Sequence, residues 1–252
     1  MRRYPLFWLS LAAALCSVAA FYRLLAPEVA RTRRSELAFR AGLEHLRSLA
    51  HLPETREKLA DKEFQTACRL APNRDRMLRR ITAACLAEHF YNQALYYAEK
   101  RLALDQSYEW VMYCGHLAYL AGDVEKCTKY YEQAIDMRPR DWTPYNALGY
   151  FYADLGIKLD RAEELLTTAL ALEEESRPPE PISFLLRSFG AETRVNRAMI
   201  LDSLAWLHYR QKRLDQAWRE ISEAYRILPY DPTISYHYDE IKRACAPAHR
   251  SA

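Results

Sequence analysis

A small residue, a second one twelve positions on, a third seven further and a proline five beyond that recur along this chain. They occur as Gly115, Cys127, Ala134 and Pro139, and again as Ala205, Ala217, Ala224 and Pro229. Ser48, Ala60, Ala67 and Pro72 keep the spacing, although Pro53 would break a first helix early. Gly149, Ala162, Ala169 and Glu174 keep it with one extra residue in the turn and no closing proline. Thr82, Ala94, Arg101 and Gln106 keep the spacing but only two of the four residue types. Two antiparallel helices approach closely only where both carry slim side chains at the crossing, so this interval describes paired helices. Tyr131, Tyr145, Leu148, Leu166, Leu201, Leu204 and Ile221 would fill the flanks. Leu120-Ala121-Gly122-Asp123 has the form of a joining turn, and Pro139 or Pro229 would end a second helix.

Composition agrees. The 252 residues include only 6 Gly, which disfavours a glycine-rich cofactor fold, while Ala, Leu, Glu and Arg favour helices. A net charge of +3 lacks the dense basic face that an obligatory nucleic-acid partner needs. Six Cys in this length are too few for a disulfide scaffold.

Two clusters stand out within this interval. One is Tyr145-Asn146-Ala147-Leu148-Gly149-Tyr150 with Leu159-Asp160-Arg161-Ala162-Glu163-Glu164-Leu165-Leu166. The other is Leu201-Asp202-Ser203-Leu204-Ala205-Trp206, Tyr209-Arg210 and Leu214-Asp215-Gln216-Ala217. In these clusters the chain resembles the tetratricopeptide repeat family, and in particular its bacterial membrane- and envelope-associated members. The implied fold is all-α, a right-handed superhelical solenoid of antiparallel helix pairs. Repeats would span 108–141, 142–175 and 198–230, with a weak unit at 75–107 and a degenerate one at 41–74. A Pro-rich insertion, 176–197, separates the last two and carries an apolar cluster from Ile182 to Gly190, suited to docking or to packing on the solenoid. Lys212 stands where the last turn would have Gly. Asp231 and Pro232 would open a capping helix over 231–246, with Tyr236, Tyr238 and Ile241 covering the last repeat.

The N-terminus points to a membrane. Tyr4 to Tyr22 are nineteen residues without a charge, which as a helix would rise about 28 Å, close to the hydrocarbon thickness of a bilayer. A single-pass transmembrane anchor over 4–25 is expected, following a short basic tail, with 26–40 as linker. A cleaved signal peptide is the alternative, with Arg2 and Arg3 as its charged region and Val18-Ala19-Ala20 at the cut. Arginines flank the run on both sides. Their count slightly favours a cytoplasmic body over an extracytoplasmic one.

The resemblance also implies which residues line the concave groove. On the first good repeat these are Glu109, Met112, His116, Tyr119 and Leu120. Thr143, Asn146, Tyr150 and Asp154 follow on the next, and Met199, Asp202, Trp206, Tyr209 and Arg210 on the last. Aromatic residues supply contact area at low entropy cost, and Asn146, Asp154 and Asp202 could pair with amides or cations of an extended ligand. Packing of Tyr150 and Trp206 between repeats competes with that role. Some family members grip a partner's C-terminal carboxylate with cations in this groove. Here Met112, Asn146 and Asp202 hold the relevant places, so no such clamp is expected.

The expected function is a membrane-anchored, non-enzymatic adaptor that takes a protein segment or helix. A homo-oligomer pairing through its solenoid surface is one alternative, and an enzyme on a helical-repeat body is another. No phosphate loop, His-Glu-x-x-His, Gly-x-Ser-x-Gly or paired Cys-x-x-Cys occurs in the sequence. No cofactor and no metal are therefore expected. Cys85 and His89 share four-residue spacing, and Cys114 lies near His116, but no spacing assembles four ligands. His208 is read as a core histidine in an apolar slot. Cys114 and Cys127 should face each other across one helix pair, as small packing residues or, in an oxidising compartment, as a disulfide.

Overall fold

The computed structural model describes the backbone of residues 5–48, 53–176 and 187–246, and side chains within 26–48, 54–176 and 193–246. Among these residues there are eleven helices and no strand. They are α1 (Pro5–Arg47), α2 (Pro53–Leu70), α3 (Arg74–Ala87), α4 (Tyr91–Leu102), α5 (Tyr108–Leu120) and α6 (Val124–Met137). There follow α7 (Trp142–Leu155), α8 (Leu159–Glu175), α9 (Arg187–Arg210), α10 (Leu214–Ile227) and α11 (Pro232–Cys245). The chain divides into two compact units, residues 1–106 and 107–252. In the first, α1 pairs with α2 and α3 with α4. In the second, α5 pairs with α6, α7 with α8 and α9 with α10, while α11 closes on α10.

Local chemistry sets the helix ends. The side chains of Asn73, Asp123, Asp141 and Asp231 accept hydrogen bonds from amides of the first turns of α3, α6, α7 and α11, which would otherwise lack partners. Pro139 and Pro229 act through the residue before them, which clashes with a proline ring in helical geometry. Arg138 (φ −138°) and Leu228 (φ −128°) have left the helix accordingly. Between α5 and α6 the chain reverses through Gly122 at φ 72°. His89 (φ 62°) and Lys212 (φ 64°) take the same left-handed conformation in the α3–α4 and α9–α10 turns, without glycine's freedom.

The crossing of α7 and α8 shows what the small residues do. A Cβ on Gly149 would lie 2.6 Å from Leu166 Cγ and 3.2 Å from the Ala162 carbonyl oxygen. Gly115 meets the Tyr131 ring in the same way, at 2.8 Å. Cys127, Ala134, Ala162, Ala169, Ala205, Ala217 and Ala224 have no exposed surface. Around the last pair, Leu201 and Ile221 join Ile234 and Ile241 of α11 in one core. Burial of each such aliphatic side chain contributes roughly 1.5–3 kcal/mol.

The first unit departs from the sequence reading in its register. The close approach of α1 to α2 falls at Gly42, where a Cβ would collide with the Phe64 ring. It does not fall at Ser48, which lies beyond the end of α1. Phe64 is wholly buried between Phe39 and Tyr97, with ring centroids 6.0 Å and 5.8 Å away, and only a glycine leaves room for its edge. The true first helix therefore precedes the break at Pro53. In the α3–α4 pair, Thr82 is buried and its hydroxyl donates to the Leu78 carbonyl. Arg101 is also buried, with its guanidinium reaching Asp75 (2.8 Å) and Asp105 (3.1 Å) at the rim.

Three further details differ. Helix α9 begins at Arg187, so the last eleven residues assigned to the insertion extend this helix; 177–186 lie outside the described residues, and with them most of the apolar cluster. Tyr238 stacks on Tyr225 at 4.2 Å, whereas Tyr236 is 55% exposed, since residues two apart on a helix face nearly opposite ways. His208 is buried, but its surroundings are polar: Nδ1 lies 2.6 Å from Glu220, and Nε2 lies 3.7 Å from Glu163.

Among the residues whose side chains are described, no helix is long and apolar enough to cross a membrane. The expected span over 4–25 lies outside them; its backbone from Pro5 onward belongs to α1.

Candidate protein-binding face

Every groove residue inferred from the sequence lies in the second unit, on α5, α7 or α9. The Asp154 carboxylate on α7 joins these three helices. Tyr119 OH donates to one oxygen (2.9 Å) and Trp206 Nε1 to the other (3.3 Å). Tyr150 packs edge-on to Tyr119 at 6.3 Å, and Tyr209 lies 5.1 Å from Trp206. Tyr119, Tyr150, Asp154, Trp206 and Tyr209 thus form one continuous cluster.

Helix α11 enters that cluster from the other side. His237 stacks on Trp206 with centroids 4.1 Å apart and planes 17° from parallel, and lies 5.9 Å from Tyr150. Its Nδ1 is 2.8 Å from Asp202 Oδ1. Both partners are buried, Asp202 at 5% exposure and His237 at 2%. Burial pushes the Asp202 carboxyl above the usual carboxylate range, against the opposing pull of the His237 hydrogen bond. Trp206 is 6% exposed. Asp202 and Trp206 therefore serve packing between helices, and only their edges remain for a ligand.

Beside this cluster opens a cleft of about 200 Å³. It is lined by Asn146, Tyr150, Met199, Asp202 and Ser203 from α7 and α9, and by Asp231, Thr233 and Ile234 at the start of α11. Met199 is 45% exposed there. The Asn146 Oδ1 is buried without a hydrogen-bond partner among the described residues. An unpartnered carbonyl oxygen in such a place costs about 1–3 kcal/mol until a donor reaches it. The cleft offers an acceptor, a carboxylate edge and an apolar thioether, a set suited to a backbone amide or cationic side chain next to an apolar residue.

The remaining inferred residues stand apart. Met112 is half-buried on α5. His116 is exposed on α5, with its ring centroid 6.3 Å from that of Tyr119. Arg210 is exposed at the end of α9, with its guanidinium over the Gly156 turn. Glu109 pairs with Arg138 at 2.8 Å. Sequence reasoning missed His237, Asp231 and Thr233. The 34-residue interval between the adjacent repeats at 108 and 142 carries the groove residue Asp202 onto Tyr236, so it points to the helix but not to His237. The capping helix takes the place of a further first helix.

Among the described residues no group of three His, Cys, Asp or Glu side chains could hold a metal ion. Cys85 is buried inside α3, and His89 sits in the following turn. Cys114 and Cys127 are buried thiols, and burial pushes Cys127 up to about 12.

No family model and no curated protein sequence matches the chain. Among solved structures, a thermophilic tetratricopeptide repeat protein of Thermus thermophilus aligns over 82% of this chain and 98% of its own. It does so at 22% identity and a TM-score of 0.50. YrrB, a tetratricopeptide repeat protein with an unusual peptide-binding site, aligns over 73% of this chain and 83% of its own, at 14% identity and a TM-score of 0.45. The fold is thus the tetratricopeptide repeat type: antiparallel helix pairs repeated along the chain.

Proposed function

We propose that this protein is a non-enzymatic interaction scaffold whose 107–252 unit receives a segment of a partner protein in the cleft between α7, α9 and α11. The observation that carries this reading is the buried, unpartnered Asn146 Oδ1 beside the exposed Met199 and the edge of Asp202. A hydrogen-bond donor from an extended segment would satisfy Asn146, while an apolar side chain covers Met199. The two acidic residues of the cleft favour a cationic or amide-rich segment over a C-terminal carboxylate. Tethering through 4–25 is part of the proposal, supported by the uncharged run from Tyr4 to Tyr22.

Selection of a random peptide library on the full chain tests the cleft. Enriched peptides should carry Lys, Arg, Asn or Gln next to an apolar residue. Their affinity should fall at least tenfold in an Asn146→Leu/Met199→Glu variant of unchanged helicity. Equal binding by the variant would remove the cleft from the account.

A further inference from the structure

The first unit carries a second cleft of opposite character. It has a volume of about 540 Å³ and lies where the end of α2 turns into α3, with α1 and α4 on its flanks. Four cationic side chains line it: Arg31 from α1, Arg69 from α2, Arg74 from the first turn of α3 and Lys100 from α4. Among the described residues no acidic side chain lines it. Leu78, Ala71 and Tyr97 are buried and make its floor, and Gln65 and Cys68 complete the wall.

The carboxylates nearest the cleft carry hydrogen bonds of their own, and Asp61 stands behind its wall. Asp75 holds Arg79 and Arg101, each at 2.8 Å. Asp61 accepts from the Tyr97 hydroxyl and from Gln65. Among the described residues none of the four lining cations has a carboxylate partner. Arg31 is steered instead by donating from Nη2 to the Arg69 carbonyl (3.2 Å), and Lys100 lies over the Tyr96 ring at 4.1 Å. Four cationic residues line one hollow, and like charges repel one another until a counter-charge enters. Two or more guanidinium forks and an ammonium are the donor set that matches the several oxygens of a phosphate, which presents more acceptors than a carboxylate.

We propose that this cleft binds a phosphate group. Arg31, Arg69, Arg74 and Lys100 would donate to its oxygens, while the Leu78 and Tyr97 floor takes the organic part of a phosphate ester. The phosphate can come from an anionic lipid headgroup or from a soluble phosphate. Arg31 stands six residues past the end of the 4–25 run, which as helix is a rise of about 9 Å. That distance suits a headgroup if the run is inserted, but the phosphate site itself does not depend on insertion.

Cys68 in the cleft wall provides a local reporter, since an occupant would shield its thiol from alkylation. The full chain is held in dodecyl maltoside, whose headgroup carries no phosphate, and the labelling rate of Cys68 is followed by peptide mass spectrometry. Inorganic phosphate is titrated in at constant ionic strength, with chloride as balance, and a parallel sample adds phosphatidylglycerol to the micelles. Protection by inorganic phosphate identifies a soluble source, and protection only with phosphatidylglycerol identifies a headgroup; either supports the proposal. Arg69→Gln/Arg74→Gln should weaken the protection at least tenfold, while Arg33→Gln/Arg34→Gln, outside the cleft, should keep it. Labelling unchanged by both probes would overturn the proposal, as would protection equal in the cleft variant. Peptide selection on the other unit is unaffected by either result.

Discussion

The two units use the same crossing positions with different occupants. In residues 107–252 the slots hold Gly115, Gly149 and Ala205 opposite Cys127, Ala134, Ala162, Ala169, Ala217 and Ala224, all slim and fully enclosed. In residues 1–106 one pair is keyed by Gly42 against a whole phenyl ring, and the other holds Thr82 and Arg101. A crossing tolerates a long side chain when its polar end reaches partners at the rim, as Arg101 reaches Asp75 and Asp105. The faces differ likewise. The second unit presents acceptors and aromatic edges around Asn146, whereas the first gathers cations around Cys68.

The largest expected effect breaks the slim-residue rule in the second unit. Gly149→Arg should destabilise by about 3 kcal/mol or more, because even its Cβ collides with Leu166 and the Ala162 backbone. Urea unfolding of the full chain should show the loss as a lowered midpoint. An unshifted curve would place the α7–α8 crossing elsewhere.

A smaller effect separates the buried carboxylate from the solvated ones. The folded-state value of Asp202 is raised, so its contribution is fully present below the ordinary carboxylate range and is lost as pH rises through the raised value. Over that window the wild type should lose stability relative to Asp202→Asn, which carries no charge at any pH. Parallel curves for the two proteins would show that burial does not govern this group.

The smallest effect compares one turn in each unit. Lys212→Gly should stabilise by about 0.5–1 kcal/mol, by relieving the left-handed backbone at φ 64°. His89→Gly at φ 62° should gain less, since it also removes the 2.8 Å contact of Nδ1 with the Tyr91 hydroxyl. Thermal unfolding of the two variants gives the ranking.

What the sequence determined by itself is what short-range physics controls. Asp231-Pro232 opens a helix, Pro139 and Pro229 close helices through the residue before them, and the 12-7-5 interval places Ala and Gly at crossings. Each depends on neighbours within one or two turns, so residue type and spacing suffice. Tertiary structure alone decided which glycine keys the first pair, because Phe64 needs Gly42 and the break at Pro53 is not a helix interior. It alone set His237 against Trp206 and Asp202, and so turned two expected groove residues inward. It alone brought Arg31 to Arg69, 38 residues away. Contacts at such separations depend on the angles at which helices stack, and no local pattern of charge or size encodes those angles.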